Sequence, residues 1–143
     1  MLSSYKLSTF ISITESVLIE TYPHGAVGGY LSHYRDMAFQ GRDEAVDFEK
    51  ATTSLFQDIF GYEAIHLGQT GSKSAPDVLL ISDSDGYQAI IDNKAYSKYS
   101  ISGDHHNRMV HNYLENISNY SSCKYPIGYF TYISGGFVPH IDR

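Results

Sequence analysis

Pro76-Asp77-Val78-Leu79-Leu80-Ile81-Ser82-Asp83-Ser84-Asp85-Gly86-Tyr87-Gln88-Ala89-Ile90-Ile91-Asp92-Asn93-Lys94 is the stretch around which the chain is organised. Two apolar runs, Val78 to Ile81 and Tyr87 to Ile91, flank a polar Asp-Gly turn, which reads as an antiparallel hairpin. Such a pair brings the start of its first strand beside the end of its second. Asp77 and Asp92 therefore become neighbours. Lys94 lies two residues from Asp92 and projects to the same face of the strand. Asn93 projects to the opposite face, yet its backbone carbonyl remains available to a metal. Two hard carboxylate oxygens suit a magnesium ion that keeps several waters and also binds a phosphate. A lysine beside them can orient a water or stabilise negative charge.

The turn itself has a plainer explanation than ion binding. Asp83, Asp85 and Gly86 resemble part of a calcium loop, but the position that needs a closing acid is Lys94. The preceding Gly68-Gln69-Thr70-Gly71-Ser72-Lys73-Ser74 fails the spacing of a phosphate-binding loop and leads into a strand, so it reads as a connector.

Upstream, the strongest helical pattern runs from Arg42 to Phe60. Ala45, Phe48, Thr52, Leu55, Phe56 and Ile59 form its apolar stripe, and Gly61 supplies the stop. Glu49 lies at the margin of that stripe, where it could reach a site at the core's edge, although spacing alone favours a solvated glutamate. Leu7 to Leu18 and Val27 to Phe39 carry weaker helical patterns, separated by Tyr22-Pro23-His24-Gly25, and Ala64 to Leu67 reads as a short strand. Downstream, a helix is predicted from Asp104 to Asn119, capped by Asp104, with Met109, Val110, Tyr113, Leu114 and Ile117 on its apolar face. His105, His106 and His111 lack the i, i+4 spacing that would put two zinc ligands on one face. A last strand spans about Ile127 to Ile133 and breaks at Ser134-Gly135-Gly136.

With 143 residues and 42% hydrophobic content, the chain predicts one domain, spanning 1–143, with a real core. A single cysteine, Cys123, cannot form an internal disulfide; it fits a reducing, cytoplasmic compartment and reads as an idle thiol. No run approaches the length of a membrane span, so no membrane partner is expected. Ten basic residues are outnumbered by sixteen acidic ones, for a net charge of -6. A protein that holds nucleic acid unaided neutralises several phosphates with Lys and Arg. If the substrate is nucleic acid, this chain is expected to be brought to it by another.

The motifs together resemble a known family. Ile91-Asp92-Asn93-Lys94-Ala95-Tyr96-Ser97 resembles the Val-Asp-Thr-Lys-Ala-Tyr-Ser run of the cleavage domain of FokI and related type IIS restriction endonucleases. These belong to the Pro-Asp…Asp/Glu-Xaa-Lys nuclease superfamily. Pro23-His24, Phe48-Glu49, Phe60-Gly61-Tyr62, His66-Leu67-Gly68 and Pro76-Asp77 occur in the family's order. Asn107-Arg108-Met109, Tyr113-Leu114-Glu115-Asn116 and the strand ending Ser134-Gly135-Gly136-Phe137 continue it, so the resemblance covers roughly 22 to 140.

That resemblance implies an α/β fold, a central mixed β-sheet flanked by helices. It implies magnesium, with manganese as an alternative, on Asp77 and Asp92, Lys94 completing the centre and Glu49 as an additional acid nearby. Its expected partners are double-stranded DNA and a second cleavage domain docking on the helix from Asp104 to Asn119. Family domains continue past the Ser-Gly-Xaa-Phe strand and carry a separate recognition domain. The chain is accordingly expected to lack its C-terminal elements and to serve as the catalytic small subunit of a heterodimeric enzyme, beside a larger DNA-recognition subunit. Other expectations compatible with the motif are a repair or junction-resolving nuclease and a silent interaction module.

Overall fold

The computed structural model describes residues 26–68 and 75–139. The helix expected over Leu7 to Leu18, the Tyr22 to Gly25 break and most of the Gly/Ser-rich connector lie outside these. The chain divides between Asp36 and Met37 into two compact units. The described part of the first is helix α1, Ala26–Met37, whose last residue belongs to the second unit.

The second unit is built on a four-stranded mixed sheet in the order β1-β2-β3-β4, with β1 Glu63–His66, β2 Val78–Ser82, β3 Tyr87–Asn93 and β4 Ile127–Ile133. The predicted hairpin is present: β2 and β3 are antiparallel, with Val78 opposite Ile91 and Ser82 opposite Tyr87. β1 joins antiparallel to β2, and β4 joins parallel to β3. The α/β architecture expected of the chain is therefore the one observed.

Both faces of the central strands are covered, which explains their unbroken apolar runs. On one face Ala64, Val78, Leu80, Ala89 and Ile91 form a cluster packed by Phe56 and Tyr62. On the other, Ile90 gathers Tyr99, Met109, Tyr113 and Tyr132. Side chains alternate across a strand, so Asn93 continues the face of Ile91, and Asp92 that of Ile90.

A 3-10 turn, Gly41–Glu44, precedes helix α2, Ala45–Asp58. Phe48, Thr52 and Leu55 are its buried residues, spaced to form one stripe. Gly61 follows at φ +76, the left-handed conformation that ends a helix at little steric cost to glycine.

The predicted helix from Asp104 to Asn119 is three segments. Helix α3 is Gly103–Asn107, a π-helical stretch covers Arg108–Leu114, and a 3-10 turn closes at Ile117–Asn119. The wider π turn suits an apolar spacing of four, Met109, Tyr113 and Ile117, which all reach the same cluster. Ser102, not Asp104, is the cap: its Oγ accepts from the His105 N–H at 3.2 Å. Asp104 sits in the first turn, where the helix dipole favours a negative charge.

Candidate active site

Asp77, Asp92 and Lys94 meet at the end of the β2–β3 hairpin opposite its turn. The register sets this, because Val78 faces Ile91 and their outer neighbours are Asp77 and Asp92. Asp77 is fixed twice. Its backbone carbonyl accepts from the Leu67 N–H at 2.8 Å. Its Oδ2 accepts from the Asn93 N–H at 2.7 Å. Lys94 Nζ lies 2.8 Å from Asp92 Oδ2, as expected for side chains on one face, and both are largely shielded. The Lys94 N–H donates to the Ile133 carbonyl at 2.7 Å, so β4 holds the backbone of the lysine.

Burial pushes the Asp77 carboxyl up, and the neighbouring Asp92 charge and a hydrogen bond to Asp92 push it further. The charge of Glu49 adds to the rise, and the Asn93 N–H opposes it. Two shielded carboxyls pressed together resist joint ionisation, and the Lys94 ammonium is the cation that the chain itself sets beside them. Among the described residues, no three His, Cys, Asp or Glu side chains are gathered into one ligand set. A pair of carboxylates nevertheless fits magnesium, which binds through one or two carboxylates and fills its octahedron with waters and phosphate oxygens.

The Asn93 side chain points away from Asp92. Its Nδ2 donates to the Phe48 carbonyl at 3.2 Å and to Thr52 Oγ1 at 2.6 Å. Thr52 Oγ1 in turn donates to the Phe48 carbonyl at 2.9 Å. The residue between the two charged positions therefore pins β3 to α2. Its buried Oδ1 has no hydrogen-bond partner.

Glu49, on the next position of α2, is not the solvated glutamate its spacing suggested. Its Oε2 lies 2.8 Å from His66 Nε2, and the two side chains are 14% and 16% exposed. It is close enough to Asp77 for its charge to be felt there. In the sequence His66 stands only as part of the family pattern, with no role of its own. The signal was its place on β1, two residues after the inward-facing Ala64 and hence on the face that meets α2.

The other histidines disperse. His105 Nδ1 shares a 2.6 Å hydrogen bond with the Tyr99 hydroxyl, and its ring stacks on Tyr99 at 5.7 Å. Burial holds its pKa down, helped by the Lys94 and Arg108 charges. His106 meets the Phe130 ring, and His111 pairs with Glu115 at 3.1 Å in the open. Cys123 lines a shallow cleft with Glu63, Ile81, Asp83 and Tyr125, at the turn end of the hairpin and away from Asp77.

A mixed sheet flanked by helices, with Asp77, Asp92 and Lys94 at the ends of a central hairpin, is a restriction-endonuclease-like α/β domain. The family model of the FokI cleavage domain matches residues 9–143, and the chain belongs to that family. Among solved structures it is similar to restriction endonuclease FokI bound to DNA, with a TM-score of 0.60 and 24% identity over 76% of this chain and 21% of that one. A structure titled restriction endonuclease FokI gives a TM-score of 0.62 and 20% identity, over 85% of this chain and 23% of that one. At these identities the likeness concerns the fold, and the chain spans under a quarter of the length of either FokI chain. No curated protein matches it significantly.

Proposed function

We propose that the chain is a magnesium-dependent endonuclease subunit that hydrolyses a phosphodiester in one strand of double-stranded DNA, placed on its site by a separate, larger recognition subunit. The observation that carries this reading is the Asp77–Asp92 carboxyl pair, with the Lys94 ammonium 2.8 Å from Asp92. Membership of a cleavage-domain family supports it.

Asp77, Asp92 and the Asn93 carbonyl would hold magnesium, with manganese as the alternative. When bound, the ion polarises a phosphoryl oxygen and lowers the pKa of a water. The chain's own residues do the remainder. Asp92 holds the Lys94 ammonium beside the pair, where it can orient the attacking water and stabilise the charge developing on the phosphate. The Asn93 N–H keeps Asp77 Oδ2 turned toward Asp92.

The acidic balance supports delivery by a partner, because a chain with net charge -6 gains little from phosphate contacts. A second cleavage domain would dock on the outer side of Gly103–Leu114, where Asp104, His106, Arg108 and His111 are exposed.

The test is plasmid cleavage in magnesium with the chain alone and with a recognition subunit added. The expected result is little cutting alone and linear product with the partner. Robust, site-specific cutting by the chain alone would remove the partner from the proposal. No cutting in either case, with no metal binding, would make the chain a silent module.

A further inference from the structure

Glu49 and His66 come from distant parts of the chain and meet with little solvent between them. Glu49 stands on α2, next to Phe48, whose carbonyl receives the Asn93 side chain. His66 ends β1 opposite Val78, and the next residue, Leu67, donates its N–H to the Asp77 carbonyl. The imidazole is thus anchored to the strand end that presents Asp77, and the carboxylate to the helix that braces Asn93. Gly68 closes the third side. A Cβ at Gly68 would meet the Glu49 carboxylate and come within 3.1 Å of His66 Nε2. The chain is bare there because the carboxylate occupies the space.

An exposed ion pair contributes little, since water screens it and two side chains must be ordered. This pair is shielded, abuts a glycine, and lies beside the strand end that carries Asp77. We infer that His66 is a positioning residue: through its Nε2 it fixes Glu49 beside Asp77, where the carboxylate can accept a hydrogen bond from a water at the reacting phosphate. The inference rests on the nuclease reading above and adds a role for two residues, His66 and Gly68, that are not part of the Asp77–Asp92–Lys94 group. A partner that orients a ligating or water-holding group is worth roughly 10–100-fold in affinity or activity.

The test uses the chain assembled with its recognition partner, and separately the chain alone titrated with Mn2+ by calorimetry. His66→Ala is expected to slow single-turnover cleavage and weaken Mn2+ binding by about 10–100-fold. His66→Gln, which keeps a side-chain N–H, should recover most of both. In a Glu49→Ala background, His66→Ala should cost nothing further, because it acts through a group already gone. Gly68→Ala displaces the flexible end of Glu49 and crowds the imidazole, keeping both side chains but breaking their pairing, so it should reproduce the His66→Ala defect in a folded protein.

Additive losses, or a His66→Ala chain that only melts earlier while cleavage and Mn2+ affinity hold, would reduce the pair to a strap between β1 and α2. If wild type cuts and Asp77→Ala abolishes cutting while His66→Ala and Gly68→Ala change nothing, this inference alone fails. If wild type neither cuts with its partner nor binds Mn2+, the nuclease reading fails and takes this inference with it.

Discussion

Asp77 Oδ2 accepts a 2.7 Å hydrogen bond from the backbone N–H of Asn93, the residue that follows Asp92. The carboxylate that begins β2 is thereby held against the carboxylate that ends β3 by main chain rather than by a movable side chain. Alignment of the two acids is a property of the sheet, and substitutions should divide into those that remove chemistry and those that loosen the frame.

Lys94→Gln keeps a polar side chain of similar length and removes the charge. Loss of one electrostatic stabiliser of this kind typically costs on the order of 10²–10³ in rate. Cleavage by the assembled enzyme should fall by that factor. Asp77→Ala and Asp92→Ala should abolish cleavage. Full activity in any of the three would remove that residue from the site.

Asp77 also predicts a pH dependence. Its carboxyl is raised from 3.8 to about 8, by burial first and by Asp92 next. The folded state therefore binds the proton more tightly than the unfolded state. Between those values the ion-free protein loses stability as pH rises, and the loss levels off above the upper one. Asp77→Asn should flatten this profile and melt higher than wild type at pH 8. Magnesium should raise the wild-type melting temperature, with proton release, and leave Asp77→Asn unmoved. A wild-type profile that rises from pH 5 to 8 would contradict this account.

Asn93→Ala removes both side-chain bonds from β3 to α2, those to Thr52 Oγ1 and to the Phe48 carbonyl. The expected cost is about 1–3 kcal/mol by denaturant titration. Cleavage should fall further than this loss of stability explains, because β3 and α2 would no longer be braced beside Glu49. Unchanged stability would mean that Asn93 and Thr52 are not coupled.

The hairpin was legible because each of its local signals agreed: two apolar runs, an Asp-Gly turn, and charges outside both ends. Helix α2 was legible for the same reason, in a stripe ending at glycine. The π-helical stretch was not. Met109, Tyr113 and Ile117 are spaced by four, and such a spacing is compatible with an α-helix until the packing partner is known. The Glu49–His66 pair was hidden for a different reason. It depends on which face of β1 meets α2, a long-range relation that neither residue's neighbours encode. The parallel partnership of β3 and β4 is likewise encoded by no pattern in the strands, and the family resemblance implied only that the sheet is mixed.

Cys123 lies at the turn end of the hairpin, and its Sγ accepts from the Tyr125 N–H at 3.5 Å. Cys123→Ser should leave cleavage unchanged and alter stability by less than about 0.5 kcal/mol. A large loss of activity on this change, or on alkylation of the thiol, would assign it work that its position does not suggest.

The register that sets Val78 against Ile91 and Ser82 against Tyr87 has a consequence at the far end of the strands. Gly86 is held to glycine by its φ of +69, but Asp83 to Asp85 take no part in the proposed chemistry, so their identities are free to drift. Their number is not. One residue inserted or lost there would slide β3 past β2 and turn Asn93 to the face that Asp92 now occupies. A turn remote from the acids thus acts as their ruler: tolerant of spelling, intolerant of length.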